Sequence, residues 1–285
     1  MASVASGTAI PALVVGPAED LESLLPGGAP IDVDRAGAAA DAIARLARKH
    51  YRLVLIDHTA AGELTDEQLA YLRALQAVRP GSKTIVLVSH STPRKVIEAL
   101  RHEVAAYFTR PFDPSAVRDA IEQALSIPTW SDGIELLSAA PDFISLRLRC
   151  RLHTADRLTQ FMKELPCSLS DGDRTDLSTA FREMLLNAIE HGGKLDPNEW
   201  VRVSRVRTKR AVIYHIEDPG EGFSLSELKH AAISNPPDDP TAHMEIRTAE
   251  NMRPGGFGMM ITNHSADEVI YNHKGNEVIL VKYLE

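Results

Sequence analysis

Three short segments hold residue types that could do chemistry. In the first, Glu183 and Asn187 lie four residues apart in a helical pattern whose apolar face is Phe181, Met184, Leu185 and Ala188. That spacing is about one turn, so the carboxylate and the amide stack on the opposite side, and Glu190 and His191 extend the stripe. In the second, Asp218-Pro219-Gly220-Glu221-Gly222-Phe223 directly follows an apolar strand pattern. Glycines at such a place let the backbone turn sharply or pass close to a ligand. In the third, Arg253-Pro254-Gly255-Gly256-Phe257-Gly258 feeds a helix beginning near Met259. A glycine-rich loop at a helix N-terminus presents free N–H groups and the positive end of the helix dipole, a cradle for phosphate. Taken singly, each segment has a plainer reading: a solvated helix face, a strand-ending turn, a loop with a glycine cap.

The elements that must position these segments follow from hydrophobic rhythm. Residues 143–152 alternate, with Ile144, Leu146, Leu148, Cys150 and Leu152 against Arg147, Arg149 and Arg151, as a half-exposed strand does. Helices are expected at 154–165 and 173–191. Residues 200–207 and 211–217 read as an antiparallel hairpin turning at Thr208-Lys209. A long polar stretch, 224–252, precedes the glycine-rich loop, and strands at 268–271 and 278–284 close the chain, joined at Asn276 or Lys274-Gly275. Helices on one face of a mixed sheet would make an α/β sandwich. The basic residues of the hairpin (Arg202, Arg205, Arg207, Lys209, Arg210) read as a solvated edge, with a docking surface as the alternative.

The N-terminal half has another rhythm. Short apolar runs at 12–16, 52–57, 84–89 and 104–108, with a weaker one at 31–33, are separated by helical patterns at 37–49, 66–78, 93–101 and 114–125. Unalternating runs of this length suit a parallel sheet buried on both faces. Asp113 is placed to cap the last helix. Five βα units imply a doubly wound sheet with function at the carboxyl ends of its strands. The expected division is a tail over 1–11, a (βα)5 domain over 12–125, a linker over 126–142 with a short strand at Ile134–Leu137, and a second domain over 143–285.

Bulk properties narrow the function classes. A chain of 285 residues, 44% hydrophobic, is comfortable as two domains with real cores. Net charge is −8 and neither half is basic, which argues against nucleic acid as the main partner. The two cysteines, Cys150 and Cys167, are not spaced for a zinc site or a disulfide framework. No run approaches a membrane span, and MASVASGTAIP lacks the basic residues of a signal peptide. A cytoplasmic location is expected by default.

In order and setting, the three segments resemble the N, G1 and G2 boxes of the GHKL superfamily of Bergerat-type ATPases, which includes gyrase, MutL, histidine kinases and the bacterial anti-sigma-factor serine kinases. The resemblance covers roughly 143–285 and implies ATP and Mg²⁺ as cofactors. It places Asn187, His191, Asp218, Gly220, Gly222, Arg253, Gly255, Gly256 and Gly258 around the nucleotide. By the same resemblance Asp218 accepts the exocyclic amine of adenine, Asn187 offers its amide oxygen to Mg²⁺, and Glu183 is the catalytic carboxylate. Glu183-Met-Leu-Leu-Asn187-Ala-Ile-Glu-His191 is similar to the ExxxNAxxH helix of the anti-sigma kinases. The chain also stops after the last strand, where gyrase and MutL continue into a transducer domain. A histidine kinase would need a phospho-accepting His before the ATPase, and the one His between 126 and 190 is His153, read as a cap or surface residue. Two features depart from the pattern: Val278–Leu284 contains no Thr, and 224–252 exceeds a minimal lid.

The N-terminal half resembles a two-component receiver. Asp57, Ser89 and Arg110-Pro111 stand where receivers carry their phospho-acceptor, their Ser or Thr, and their Lys-Pro; Tyr107 stands at the aromatic switch position. The acidic pair expected after the first strand is Gly16-Pro17, with Glu19 and Asp20 just beyond. The resemblance therefore implies a pseudo-receiver that binds partners or dimerises; a working receiver is the alternative. Together the halves are expected to form a signalling protein that phosphorylates Ser or Thr on a small partner, typically an anti-anti-sigma (STAS-like) domain. Nucleotide-gated sequestration of a partner such as a sigma factor, without transfer, and a histidine kinase are the rival readings.

Overall fold

The computed structural model describes residues 9–18, 21–27, 30–60, 65–127, 133–165, 167–223, 242–249 and 258–284. The chain divides into two compact units, Met1–Asp132 and Gly133–Glu285.

The first unit contains strands β1 (Ile10–Val15), β2 (Ile31–Ala36), β3 (Leu53–His58), β4 (Lys83–Val88) and β5 (Ala106–Thr109). All pair in parallel, in the order β2-β1-β3-β4-β5. This is the doubly wound order of flavodoxin-like folds, with its switch point between β1 and β3. The unalternating runs predicted for β3 and β4 are buried along almost their whole length, as strands covered on both faces must be. The connecting helices are α1 (Leu21–Leu24), α2 (Ala39–Arg48), α3 (Asp66–Val78), α4 (Pro93–Arg101) and α5 (Pro114–Ser126). Their ends obey local chemistry. Thr65 and Gln68 form a reciprocal capping box on α3, and Asp113 caps α5 by accepting the Ser115 N–H. Pro93 and Pro114 open α4 and α5, where a missing N–H costs nothing.

The second unit is one six-stranded sheet in the order β10-β11-β9-β8-β7-β6. Its strands are β6 (Ile134–Ala140), β7 (Phe143–Arg149), β8 (Trp200–Arg207), β9 (Ala211–Glu217), β10 (Glu268–Tyr271) and β11 (Glu277–Tyr283). The stretch read as a linker over 126–142 thus carries a seven-residue strand, paired with β7 through a tight antiparallel turn. Ile134 is its buried anchor, opposite Leu148.

The sheet expected to be mixed is antiparallel at every pairing. Helices α6 (Leu152–Glu164) and α7 (Asp171–Asn187) connect β7 to β8. Two consecutive helical passes return the chain to the end it left, so β8 must run against β7. A single crossover would have made them parallel. Beyond β9 come α8 (Ala242–Ala249) and α9 (Gly258–Ser265), and β11 then folds back between β9 and β10.

Ile144, Leu146, Leu148, Val201, Val203, Tyr214, Ile216 and Leu280 form the buried face of the sheet. α6 packs on β7, while α7 packs on β9, β11, α6 and α9. Phe181 of α7 meets Tyr214 with ring centroids 4.5 Å apart. On the other face, the guanidinium carbons of Arg147 and Arg149 lie 4.4 and 3.8 Å from the Trp200 ring centroid. The basic hairpin is not wholly a solvated edge: Arg205 shares the inward face with Val201 and Val203 and is 2% exposed. The strand period of two dictates this, since residues 201, 203 and 205 point the same way.

Among the described residues no helix is long and apolar enough to cross a membrane. Both cysteines are free thiols.

Candidate functional site

Ser170 caps α7 by accepting the Asp173 N–H, and the helix runs as α-helix to Asn187. It then widens into a π turn, Ala188–Gly192, closed by the Gly193 N–H donating to the Ala188 carbonyl at 2.8 Å. A π turn inserts one extra residue per turn and shifts the helical phase of the residues after it. His191 and Gly192 therefore face the same cavity as Glu183 and Asn187, while Glu190 leaves the predicted stripe and does not line it. Lys194 continues the rim in a left-handed conformation, φ +53°.

The cavity holds about 800 Å³, within the range of small-ligand sites. It is lined by α7 with its π turn, the loop Asp218–Phe223 after β9, the start of α9 and the β10–β11 hairpin. Glu183, Asn187, His191, Asp218, Gly220, Gly222 and Gly258, predicted from separate motifs, all line it. Arg253, Gly255 and Gly256 lie outside the described residues.

Asp218 is anchored from several sides. Its N–H donates to the Asn276 carbonyl at 2.9 Å, and its own carbonyl accepts from Asn276 Nδ2 at 3.1 Å. Its Oδ1 accepts the Gly220 N–H at 2.8 Å, leaving Oδ2 without a hydrogen-bond partner among the described residues. Burial pushes the carboxyl above its ordinary pKa; the Gly220 N–H and the Lys274 ammonium pull it back down, and Glu217 adds a small upward push.

The glycines here are required by contact. A β-carbon on Gly192 would sit 2.2 Å from the Asp218 carboxylate, and one on Gly258 would sit 2.7 Å from Glu183 Oε2. Gly222, at φ +83°, would place one 1.8 Å from the Lys274 carbonyl. The start of α9 is thereby held against Glu183, and the Asp218 loop against the β10–β11 turn. Glu183 lies 3.7 Å from Arg182, whose guanidinium binds Asp156 at 2.7 Å.

Several residues of this site had no motif to announce them. Gly192, Asn276, Tyr271 and Lys274 are the main ones. Tyr271 lines the cavity and meets Phe223 edge-on at 5.5 Å; Lys274 Nζ donates to the Gly220 carbonyl at 2.9 Å. The Gly192-Gly193 pair and the Lys274-Gly275 turn were the available signals. His153, in the first turn of α6, does not line the cavity.

The sequence comparison fits this geometry. Residues 148–282 match the family described as the histidine kinase-like ATPase domain. The second unit carries a histidine kinase-like ATPase domain. Its match spans α6 to β11 and so includes every residue named in the cavity. No curated protein matches the chain.

In the first unit, Asp57 is 3% exposed at the carboxyl end of β3. Its Oδ2 accepts the Ala18 N–H at 2.7 Å, and its Oδ1 accepts the Thr59 N–H and hydroxyl at 2.9 and 2.7 Å. Gly16 takes φ +98° and would press a β-carbon to 2.2 Å from the Asp57 carbonyl, so a carboxylate-bearing side chain does not fit there. Glu19 and Asp20 lie outside the described residues. Ser89 follows β4 half-buried, and the hydroxyl that meets Tyr107 is that of Ser91, at 2.8 Å. Arg110 is exposed, with its guanidinium carbon 5.3 Å from the Phe112 ring centroid, and makes no ion pair with Asp57 among the described residues.

Similar solved structures include a CheY-like receiver domain protein from Methanospirillum hungatei JF-1. It is 22% identical over 42% of this chain and 95% of that one, with TM-score 0.36. A response regulator from Thermotoga maritima is 19% identical over 42% and 100%, also with TM-score 0.36. A putative pilus assembly protein from Burkholderia thailandensis E264 is 26% identical over 41% and 99%, with the same TM-score.

Proposed function

We propose that the ATPase domain binds ATP with Mg²⁺ in this cavity and transfers the γ-phosphoryl group to a serine or threonine of a small protein partner of the anti-anti-sigma, STAS-like class. The receiver-like unit serves as its regulatory, non-phosphorylated input, and the whole acts as a cytoplasmic signalling protein.

One observation carries the reading: two carboxylates, Glu183 and Asp218, and the Asn187 amide, from separate segments, converge on one cavity walled by Gly192, Gly220 and Gly258. The unpartnered Asp218 Oδ2 suits an amine donor such as that of adenine. Guanine presents a carbonyl at the same place and would leave the half-buried carboxylate unpaired, which is a basis for rejection. The Asn187 side chain makes no hydrogen bond among the described residues, so its amide oxygen is available to a cation. No group of three or more His, Cys, Asp or Glu among the described residues could hold a metal by itself. This suits Mg²⁺, which is commonly held by one or two protein ligands together with phosphate oxygens and water.

Asn187 would hold the ion, whose chemistry is to neutralise charge on the phosphates. Glu183, across one turn of α7 and fixed by Arg182 and the start of α9, would orient the attacking hydroxyl and take its proton. Phosphoryl transfer needs mainly positioning and charge neutralisation, so this set suffices.

The test is to incubate the full chain with γ-labelled ATP, Mg²⁺ and a purified anti-anti-sigma domain. Label is expected on Ser or Thr of the partner. Glu183→Gln should reduce the rate by roughly 10²–10⁴-fold with nucleotide affinity unchanged. Label on a histidine of the chain itself would overturn the reading. Tight binding of both ligands with no transfer would reduce the protein to a nucleotide-gated binding module.

A further inference from the structure

Arg205 lies on the helix-covered face of the sheet, 2% exposed. A guanidinium does not shed its proton in a protein, so this residue carries a positive charge into the interior at every pH of interest. Buried charges are ordinarily paired, because an uncompensated one gives up its hydration without return. Among the described residues Arg205 has no ion pair, and its Nε has no hydrogen-bond partner. The Tyr214 hydroxyl beside it offers a hydrogen-bond partner but no counter-charge: burial holds that phenol above its ordinary pKa, against the downward pull of Arg205.

Its surroundings deepen the imbalance. Arg205 lines a cavity of about 10 Å³ shared with Arg174 and Ser178 of α7, Tyr214 of β9, Lys163 and Cys167. Arg174 Nε and Ser178 Oγ are also buried without a hydrogen-bond partner. Two guanidiniums and an ammonium thus border one cavity, and among the described residues no carboxylate lines it. A nearby cation is treated differently: Lys282 is held between Asp173 at 2.9 Å and Asp267 at 3.1 Å.

We propose that this cavity binds a single monatomic anion of the halide class, chloride being the common one, held by Arg205, Arg174 and the Ser178 hydroxyl. The cavity is small, about 10 Å³, which favours a monatomic anion over a bulkier tetrahedral oxyanion. The anion would bridge β8 to α7, outside the cavity that Asp218 lines, and so would stabilise the ATPase domain independently of nucleotide.

The full chain is melted in rising sodium chloride and, at equal ionic strength, in sodium gluconate, with bromide and phosphate as further arms. Chloride and bromide should raise the melting temperature beyond gluconate at the same ionic strength. Each tenfold of chloride beyond half-saturation is worth roughly 3–5 °C. Arg205→Met, which replaces the charge with an apolar chain of similar length, should remove the chloride-specific part. Chlorine NMR line broadening on the unmodified protein, reversed by bromide, reads the same site without a variant. Equal responses to chloride and gluconate, a chloride response that survives Arg205→Met, or a specific response to phosphate alone would each overturn the assignment.

Discussion

Gly192 stands against Asp218 so closely that a β-carbon on it would lie 2.2 Å from the carboxylate Cγ and Oδ1. The two residues come from different elements, the π turn after α7 and the loop after β9. The bulk of the protein thereby holds the carboxylate at one place in the cavity, with its second oxygen left for a ligand.

Gly192→Ala should therefore displace the Asp218 carboxylate while leaving α7 intact. Loss of one hydrogen bond to a charged group is worth about 1.5–3 kcal/mol, or roughly 10–100-fold in ATP affinity. Calorimetric titration with Mg-ATP measures it. Gly172→Ala is the matched control, since a β-carbon there meets only Ser170 Oγ at 3.8 Å. Equal affinities in the two variants would remove Gly192 from the site.

Asp218→Asn should make the nucleotide-free protein more heat-stable and the nucleotide-bound protein less so. Burial raises the Asp218 pKa in the folded state, so the fold favours the protonated form. The associated stability is full below the unfolded pKa and is lost as pH rises through the folded one. At neutral pH the ionised carboxylate is a cost that the neutral amide removes. By the same sign, ATP affinity of the unmodified protein should fall on the acid side at a higher pH than an ordinary carboxylate would dictate. Melting curves at pH 7 with and without Mg-ATP check the first claim. A lower melting temperature for nucleotide-free Asp218→Asn would contradict it.

Asn272→Ala should loosen the site without touching the cavity. Asn272 Oδ1 accepts the N–H groups of Gly275, Asn276 and Glu277 at 2.7, 3.1 and 3.3 Å. Its Nδ2 donates to Asn276 Oδ1 and Glu277 Oε1, both at 3.0 Å. This one side chain orders the turn whose Asn276 grips the Asp218 backbone. Its removal should cost about 1–3 kcal/mol of stability and weaken ATP in parallel. Asn272→Asp, which keeps the acceptor, should recover part of both. Unchanged ATP affinity in a destabilised Asn272→Ala would separate the turn from the site.

Much of this was legible in the sequence, for local reasons. The alternation of 143–149 and the 200–217 hairpin need only the strand period, and the starts of α4 and α5 need only their prolines, with the Asp113 cap on α5. Glu183 and Asn187 are one helical turn apart, and the Asp218 loop is read from its glycines. What escaped depends on contacts between distant parts of the chain. Nothing near Gly192 announces that it must fit under Asp218, and nothing near Asn272 announces that it orders a turn holding residue 218. The π turn has no composition of its own and moved Glu190 out of the predicted stripe. An arginine in a basic hairpin reads as exposed, although the place of Arg205 on β8, two after Val203, points it inward.

Asp57 should remain unphosphorylated by small phosphodonors. Both its oxygens are taken by Ala18 and Thr59, and position 16 leaves no room for a metal-binding carboxylate. Without a cation to offset the repulsion between two anions, transfer is slow. Intact-mass measurement after incubating the full chain with acetyl phosphate and Mg²⁺ should show no added phosphoryl group. A stoichiometric gain mapped to Asp57 would make the first unit a working receiver.

The most direct test of the nucleotide site is a titration of the full chain with ATP and with GTP, each in Mg²⁺, repeated on Asp218→Asn. Saturable ATP binding is expected, with GTP weaker by at least about tenfold and ATP weakened in the variant by more than ~1 kcal/mol, the scale of a charge-assisted hydrogen bond. Equal affinity for the two nucleotides, or an Asp218→Asn variant that binds ATP as the unmodified protein does, would contradict the role given to Asp218 and with it the ATP site.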